Sequence, residues 1–160
     1  RKMEFGPSRP AVVIRSELKK GLERLTTIMG DSVFPVFTPP WNRCSIDTLF
    51  EAERLGFRAV SRNWGARPPV SGDLAEYPVH VDLHTRKEPT ARAGWENLLK
   101  EFEVGLMTPA CGIMLHHMRM NDQAFVFLEY LLGIIHRHSG IETATFKQLC
   151  ARGTADLKVN

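Results

Sequence analysis

The chain is expected to be an α/β protein, with a mainly parallel sheet and helices packed outside it. Two observations predict this. Strand-like apolar runs alternate with helix-like amphipathic runs along most of the length, and the links between them are short, as repeated β–α units require. Composition agrees: 43% apolar and 24% charged residues suit a globular core and disfavour a disordered, collagen-like or coiled-coil chain. At 160 residues, a single domain spanning 1–160 is expected, long enough for a real hydrophobic core.

Residues 1–15 read as irregular because of Gly6-Pro7 and Pro10, with Ala11 to Ile14 as a candidate short strand. Ser16 is placed to cap a helix whose apolar stripe is Leu18, Leu22, Leu25 and Met29, with Gly30 ending it. Val33 to Phe37 is a short apolar run of buried-strand type. It stops at Thr38-Pro39-Pro40-Trp41, where two prolines forbid both ladder and helix. Ser45 caps a second helix through Leu49, Phe50 and Leu55, closed by Gly56, and Phe57 to Ser61 is the next strand. Pro68-Pro69 and Ser71-Gly72 mark a loop before Pro78 to His84, which alternates strictly and is the clearest strand. Trp95, Leu98, Leu99 and Phe102 make a helical stripe, and Gly112 to Leu115 is a short strand ending in His116-His117. Asn121 or Asp122 caps a helix carrying Ala124, Leu128, Leu131, Leu132 and Ile135, and Thr145 with Gln148 resembles a capping box. Three or four such units make half a barrel or a small open sheet. The start at Arg1, in a polar run, reads as a piece of something longer.

Charge and cysteines exclude several partners. Lys plus Arg is 21 against 18 Asp plus Glu, a formal charge of +3, and the basic residues are scattered. A nucleic-acid binder concentrates them on one face, so that partner is not expected. No apolar stretch has the length of a membrane span. Cys44, Cys111 and Cys150 are odd in number with no C-x-x-C pair, which leans toward a reducing, cytoplasmic compartment. The motifs of serine hydrolases, P-loop proteins, dinucleotide binders and zincins are missing.

In parallel β/α folds functional groups gather where strands end, and that rule selects three places. The first is Thr38-Pro39-Pro40-Trp41-Asn42-Arg43, where prolines fix a loop and Trp41 offers a flat apolar face of the kind that stacks on sugar rings; the competing reading is a rigid turn with a partly buried Trp. The second is the face shared by His80, Asp82 and His84, a zinc-type donor set. Residues i and i+4 of a straight strand lie too far apart for one ion, so a plain polar face is the preferred reading, with Asp82 as a lone cleft carboxylate. The third is His116-His117, an imidazole at a buried strand's end that suits general acid or base work, against a solvated strand end. His136 and His138, at a helix C-terminus, read as structural.

The order of these places resembles the polysaccharide deacetylase family, the NodB-homology, carbohydrate esterase 4-like group. The resemblance rests on Phe37-Thr38-Pro39-Pro40-Trp41 at a strand end, then a helix, then Leu55-Gly56-Phe57 turning into a strand, and later Leu115-His116. It covers most of residues 1 to 150. It implies the C-terminal part of a distorted (β/α) barrel, a carbohydrate substrate, and removal of N-acetyl groups with a divalent metal, usually zinc. The family's metal-binding Asp-Asp and His-x-x-x-His motifs do not occur here and are expected upstream of Arg1, so no metal ligand is assigned within this chain.

Residue by residue, Pro39, Pro40 and Trp41 fall on the family's Arg-x-Pro-Tyr groove motif, with Thr38 in place of the arginine and Trp41 in place of the tyrosine. Asn42 extends the groove, and Arg43 could stand in for the arginine. His116 matches the histidine of the Leu-x-His motif as general acid, with His117 as fallback. The aspartate-tryptophan motif reads Ser61-Arg62-Asn63-Trp64, without the aspartate, which Asp82 could replace. These departures also admit a non-catalytic carbohydrate-binding or interaction module on the same fold. Half a barrel leaves sheet edges and an apolar inner face uncovered, so aggregation, dimerisation (a homo-oligomer) or a marginal fold is expected.

Overall fold

The computed structural model describes residues 3–83 and 87–153. Five helices, α1 (Ala11–Met29), α2 (Ile46–Arg54), α3 (Ala91–Leu106), α4 (Asp122–Arg137) and α5 (Phe146–Arg152), surround five short strands, β1 (Val36–Phe37), β2 (Ala59–Val60), β3 (Ala75–Glu76), β4 (Val79–Asp82) and β5 (Gly112–Met114). Every strand pairing is parallel. β1 pairs β2 and β2 pairs β3, while β4 pairs β5. The two groups join where Asn63 bridges Val79: Val79 N–H donates to Arg62 O at 2.7 Å and Trp64 N–H donates to Val79 O at 2.8 Å. β3 and β4 therefore stack end to end in one column beside β2. The columns run in chain order, and the described residues form no closed barrel. The chain is mixed α/β, as expected.

Ala11 to Ile14 is helix, not strand, and Ser16 lies inside α1 rather than capping it. Pro10 takes the N-cap place with φ −59°, and Val13 and Ile14 N–H donate to its carbonyl. A proline there loses nothing, because first-turn N–H groups have no intrahelical partner. The stripe moves accordingly: Ile14 and Leu18 are buried, while Leu25 and Met29 are exposed. Gly30 closes the helix at φ 55°. The other starts were written locally. Ser45 Oγ accepts from Thr48 N–H, Asn121 Oδ1 from Ala124 N–H, and Thr145 and Gln148 form a reciprocal capping box.

The core lies under the first half of the chain. Ile14, Leu18, Phe37, Cys44, Leu49, Ala52, Val60 and Leu74 form one buried cluster, with Phe5, Leu55, Phe57 and Val70 packed against it. Phe37 meets Phe5 and Phe57 edge to face at 5.3 and 5.9 Å. Phe5 also anchors the irregular start, its carbonyl accepting from Ser45 N–H and Thr48 Oγ1. β2 is buried on both faces, as strands of a parallel sheet are. Burial is thinner in the second half, where no residue of α4 is buried.

Truncating Ile14 should therefore cost about 2–5 kcal/mol, while Val12→Ala, at an exposed position of the same helix, should stay within about 0.5 kcal/mol. Urea unfolding of both variants separates a helix packed through Ile14 from a strand, in which Val12 and Ile14 would share a face.

Candidate functional site

Strand order decides which loops are neighbours. The C-terminal ends of β1, β2, β4 and β5 lie along one edge and deliver, in order, the Trp41 loop, Arg62 to Trp64, Asp82 and His116. Three strand spacings of about 4.8 Å separate β1 from β5 laterally, roughly 14 Å, and the register staggers them along the strands as well, because Phe37 is level with Val60 and Glu76 while β4 runs on to Asp82.

At the β1 end, Pro40–Asn42 forms a single 3-10 turn. Trp41 and Asn42 both take left-handed backbone, φ 62° and 57°, a conformation that is rare for bulky residues and concentrates at functional sites. Asn42 N–H donates to Pro39 O and Arg43 N–H to Pro40 O, which hold the turn. Pro39 is buried, Pro40 and Arg43 are partly buried, and Thr38 is exposed. Trp41 is 61% exposed, and among the described residues buried Asn42 Oδ1 has no hydrogen-bond partner.

Beside it, Arg62 is completely buried. Its Nε and Nη2 both donate to Glu76 Oε1, at 2.9 and 2.6 Å, and Nη1 lies 3.8 Å from Cys44 Sγ. Burial pushes the Cys44 thiol up despite the guanidinium. The Ser61-Arg62-Asn63-Trp64 segment thus supplies a structural ion pair from Arg62. Trp64, by contrast, is 58% exposed and lies against His80, ring centroids 4.8 Å apart.

His80 is buried rather than part of a solvated polar face. Gly112 N–H donates to its Nδ1 at 3.3 Å, and Thr108 Oγ1 lies 3.4 Å from Nε2. The ring braces β4, β5 and the end of α3. Burial holds its pKa below the ordinary value, against a smaller opposing pull from the Pro78 carbonyl. His84 lies outside the described residues. Among the described residues, no three His, Cys, Asp or Glu side chains converge as metal ligands.

The β5 end brings two expected residues together. His116 Nε2 lies 3.6 Å from Asp82 Oδ2, both side chains partly exposed. His117 begins the following 3-10 turn and is exposed. Beside His116 a cavity of about 240 Å³ is lined by Leu83, Arg119, Asn121 and Phe127 among others. Leu83, Ala124 and Phe127 also line a second cavity of about 310 Å³, and Trp95 and Phe127 also line a trough of about 760 Å³ between α3 and α4. Sequence reading paired neither Arg62 with Glu76 nor Trp64 with His80. The signal was the unusual charge at the end of the β2 run, but its partner sits on a two-residue strand with no pattern of its own.

No family model, curated protein or solved structure matches the chain. The reading of function therefore rests on the motifs and on this edge.

Removing one partner of a buried ion pair strands the other, so Glu76→Gln should lower stability by about 3–5 kcal/mol. His80 gives a pH dependence with a definite sign. Its pKa is lower folded than unfolded, so its contribution is complete above the unfolded value of about 6.5 and is lost as pH falls through the folded value. Denaturant unfolding at pH 7 and pH 5 should show a smaller acid loss for His80→Asn than for the parent chain.

Proposed function

We propose that this chain carries the substrate groove and the general acid of a metal-dependent hydrolase that removes N-acetyl groups from a carbohydrate. The observation that supports this most is the approach of Asp82 and His116 at the ends of adjacent parallel strands, beside a cavity. The run of parallel strands in chain order agrees with an arc of a distorted (β/α) barrel of the NodB-homology type.

In this reading Asp82 orients the imidazole through Nε2, which assigns proton delivery to Nδ1. Water adds to the amide carbonyl as a base outside the described residues, an aspartate on the family's pattern, takes its proton; the carbon–nitrogen bond then breaks as His116 gives its proton to the departing amine, leaving acetate and a free amino sugar, and the proton held by the base returns to His116. A divalent metal, zinc on the family's pattern, would be held by residues outside those described and supplies polarisation of the carbonyl. Trp41 gives an exposed aromatic face for a sugar ring, with Pro39, Pro40, Asn42 and Arg43 shaping the turn beneath it. Because Trp41 and His116 stand at opposite ends of the edge, the substrate that meets both is an oligosaccharide longer than one ring.

A second reading, a non-catalytic carbohydrate-binding or interaction module, draws on Thr38 in the arginine's place and on Arg62-Asn63 where the family's aspartate is expected. Acetate release from N-acetylated oligosaccharides by the full-length protein decides between them. His116→Ala should lower kcat by about 10²- to 10⁴-fold with an unchanged circular dichroism spectrum, and His117→Ala far less. Equal rates for His116→Ala and the parent would remove His116 from the mechanism. No turnover in the parent, with glycan binding that Trp41→Ala abolishes, would favour the binding module.

A further inference from the structure

α3 and α4 are sixteen-residue helices that touch through Trp95 and Phe127, edge to face at 5.2 Å, and otherwise leave the 760 Å³ trough between them. α4 is dominated by Phe, Val, Leu, Ile and Tyr, yet none of its residues is buried. A helix so apolar belongs against another surface. Leu99 and Tyr130, on opposite walls, are each 64% exposed, and Trp95, Leu106 and Ile134 about half.

We propose that this trough is the contact face of a homodimer, the α3–α4 pair of one copy packing on that of a second copy about a twofold axis. The area fits. Trp95 and Tyr130, of about 200 Å² each, with the aliphatic Leu99, Leu106 and Ile134, all roughly half exposed, offer on the order of 500 Å² per copy before any neighbouring residue is counted, against about 800 Å² per partner in a standard stable interface. The shape fits as well. Trp95, Leu99, Phe102 and Leu106 form a ridge at helical spacing, facing a matching row on α4, the arrangement that interlocks in four-helix packing. A small-molecule pocket carries convergent polar groups; here the charged lining residues Glu142 and Arg152 pair with each other.

Light scattering after size exclusion tests this on the 160-residue chain. The mass should be twice 18.1 kDa. Leu99→Glu and Tyr130→Glu should each return it to the single-chain mass with helicity retained, whereas Met118→Glu, at an exposed residue outside the trough, should leave the dimer intact. A monomeric parent chain, including one whose trough takes up an apolar dye, overturns the proposal. So does an assembly that responds to Met118→Glu as strongly as to Tyr130→Glu, or one that neither trough variant dissociates.

Discussion

A guanidinium cannot be taken out of water without its counterion, and Arg62 is wholly out of water. Glu76 must therefore stand beside it, so Arg62, two residues past Val60, reaches back to Val60's own ladder partner on β3. Cys44, at the end of the Trp41 loop, closes the third side. Ion pairs of this kind add little net stability over an apolar packing, because desolvation offsets the attraction. Their consequence is specificity: any slip of β3 against β2 would separate the charges. Strands of two residues have few ladder bonds with which to hold register, so the pair does that work.

The functional edge inherits this order. With β2 and the β3–β4 column locked, Trp64 reaches the His80 ring, and His80 in turn receives Gly112 N–H at the start of β5. That contact sets how far β5 extends beside β4, and so where His116 falls relative to Asp82. The left-handed turn at Trp41 and Asn42 sits at the other end, following β1, whose Phe37 packs against Phe5 and Phe57. Well-packed elements hold the first half of the edge. Thinly buried ones frame the cavity at the second half, where α4 lacks a buried face of its own.

The interactions that could be read without a structure are those completed within one turn of chain. Ser45 with Thr48, Asn121 with Ala124, and Thr145 with Gln148 close over three residues, so residue type and spacing suffice. The left-handed close of α1 needs only Gly30. The start of α1 was misplaced because Ala-Val-Val-Ile suits a strand as well as a helix, and only Ile14 and Leu18 meeting α2 turn that choice toward helix. Glu76 and Arg62 are fourteen residues apart, and Cys44 is farther still; no local pattern joins them.

By itself the sequence determined the alternation of helices and strands, the helix caps, the loop that prolines force after β1, and the placing of polar and aromatic residues at strand ends, since each follows from the backbone preferences of a few neighbouring residues. Only the tertiary structure decided that β3 and β4 share a column, that Arg62 is buried with Glu76, that His80 braces two strands instead of facing water, and that Asp82 meets His116. Those outcomes depend on which distant groups lose water together. The free energy of removing a charge or a ring from solvent is set by the neighbours it finds there, and those neighbours lie elsewhere in the chain.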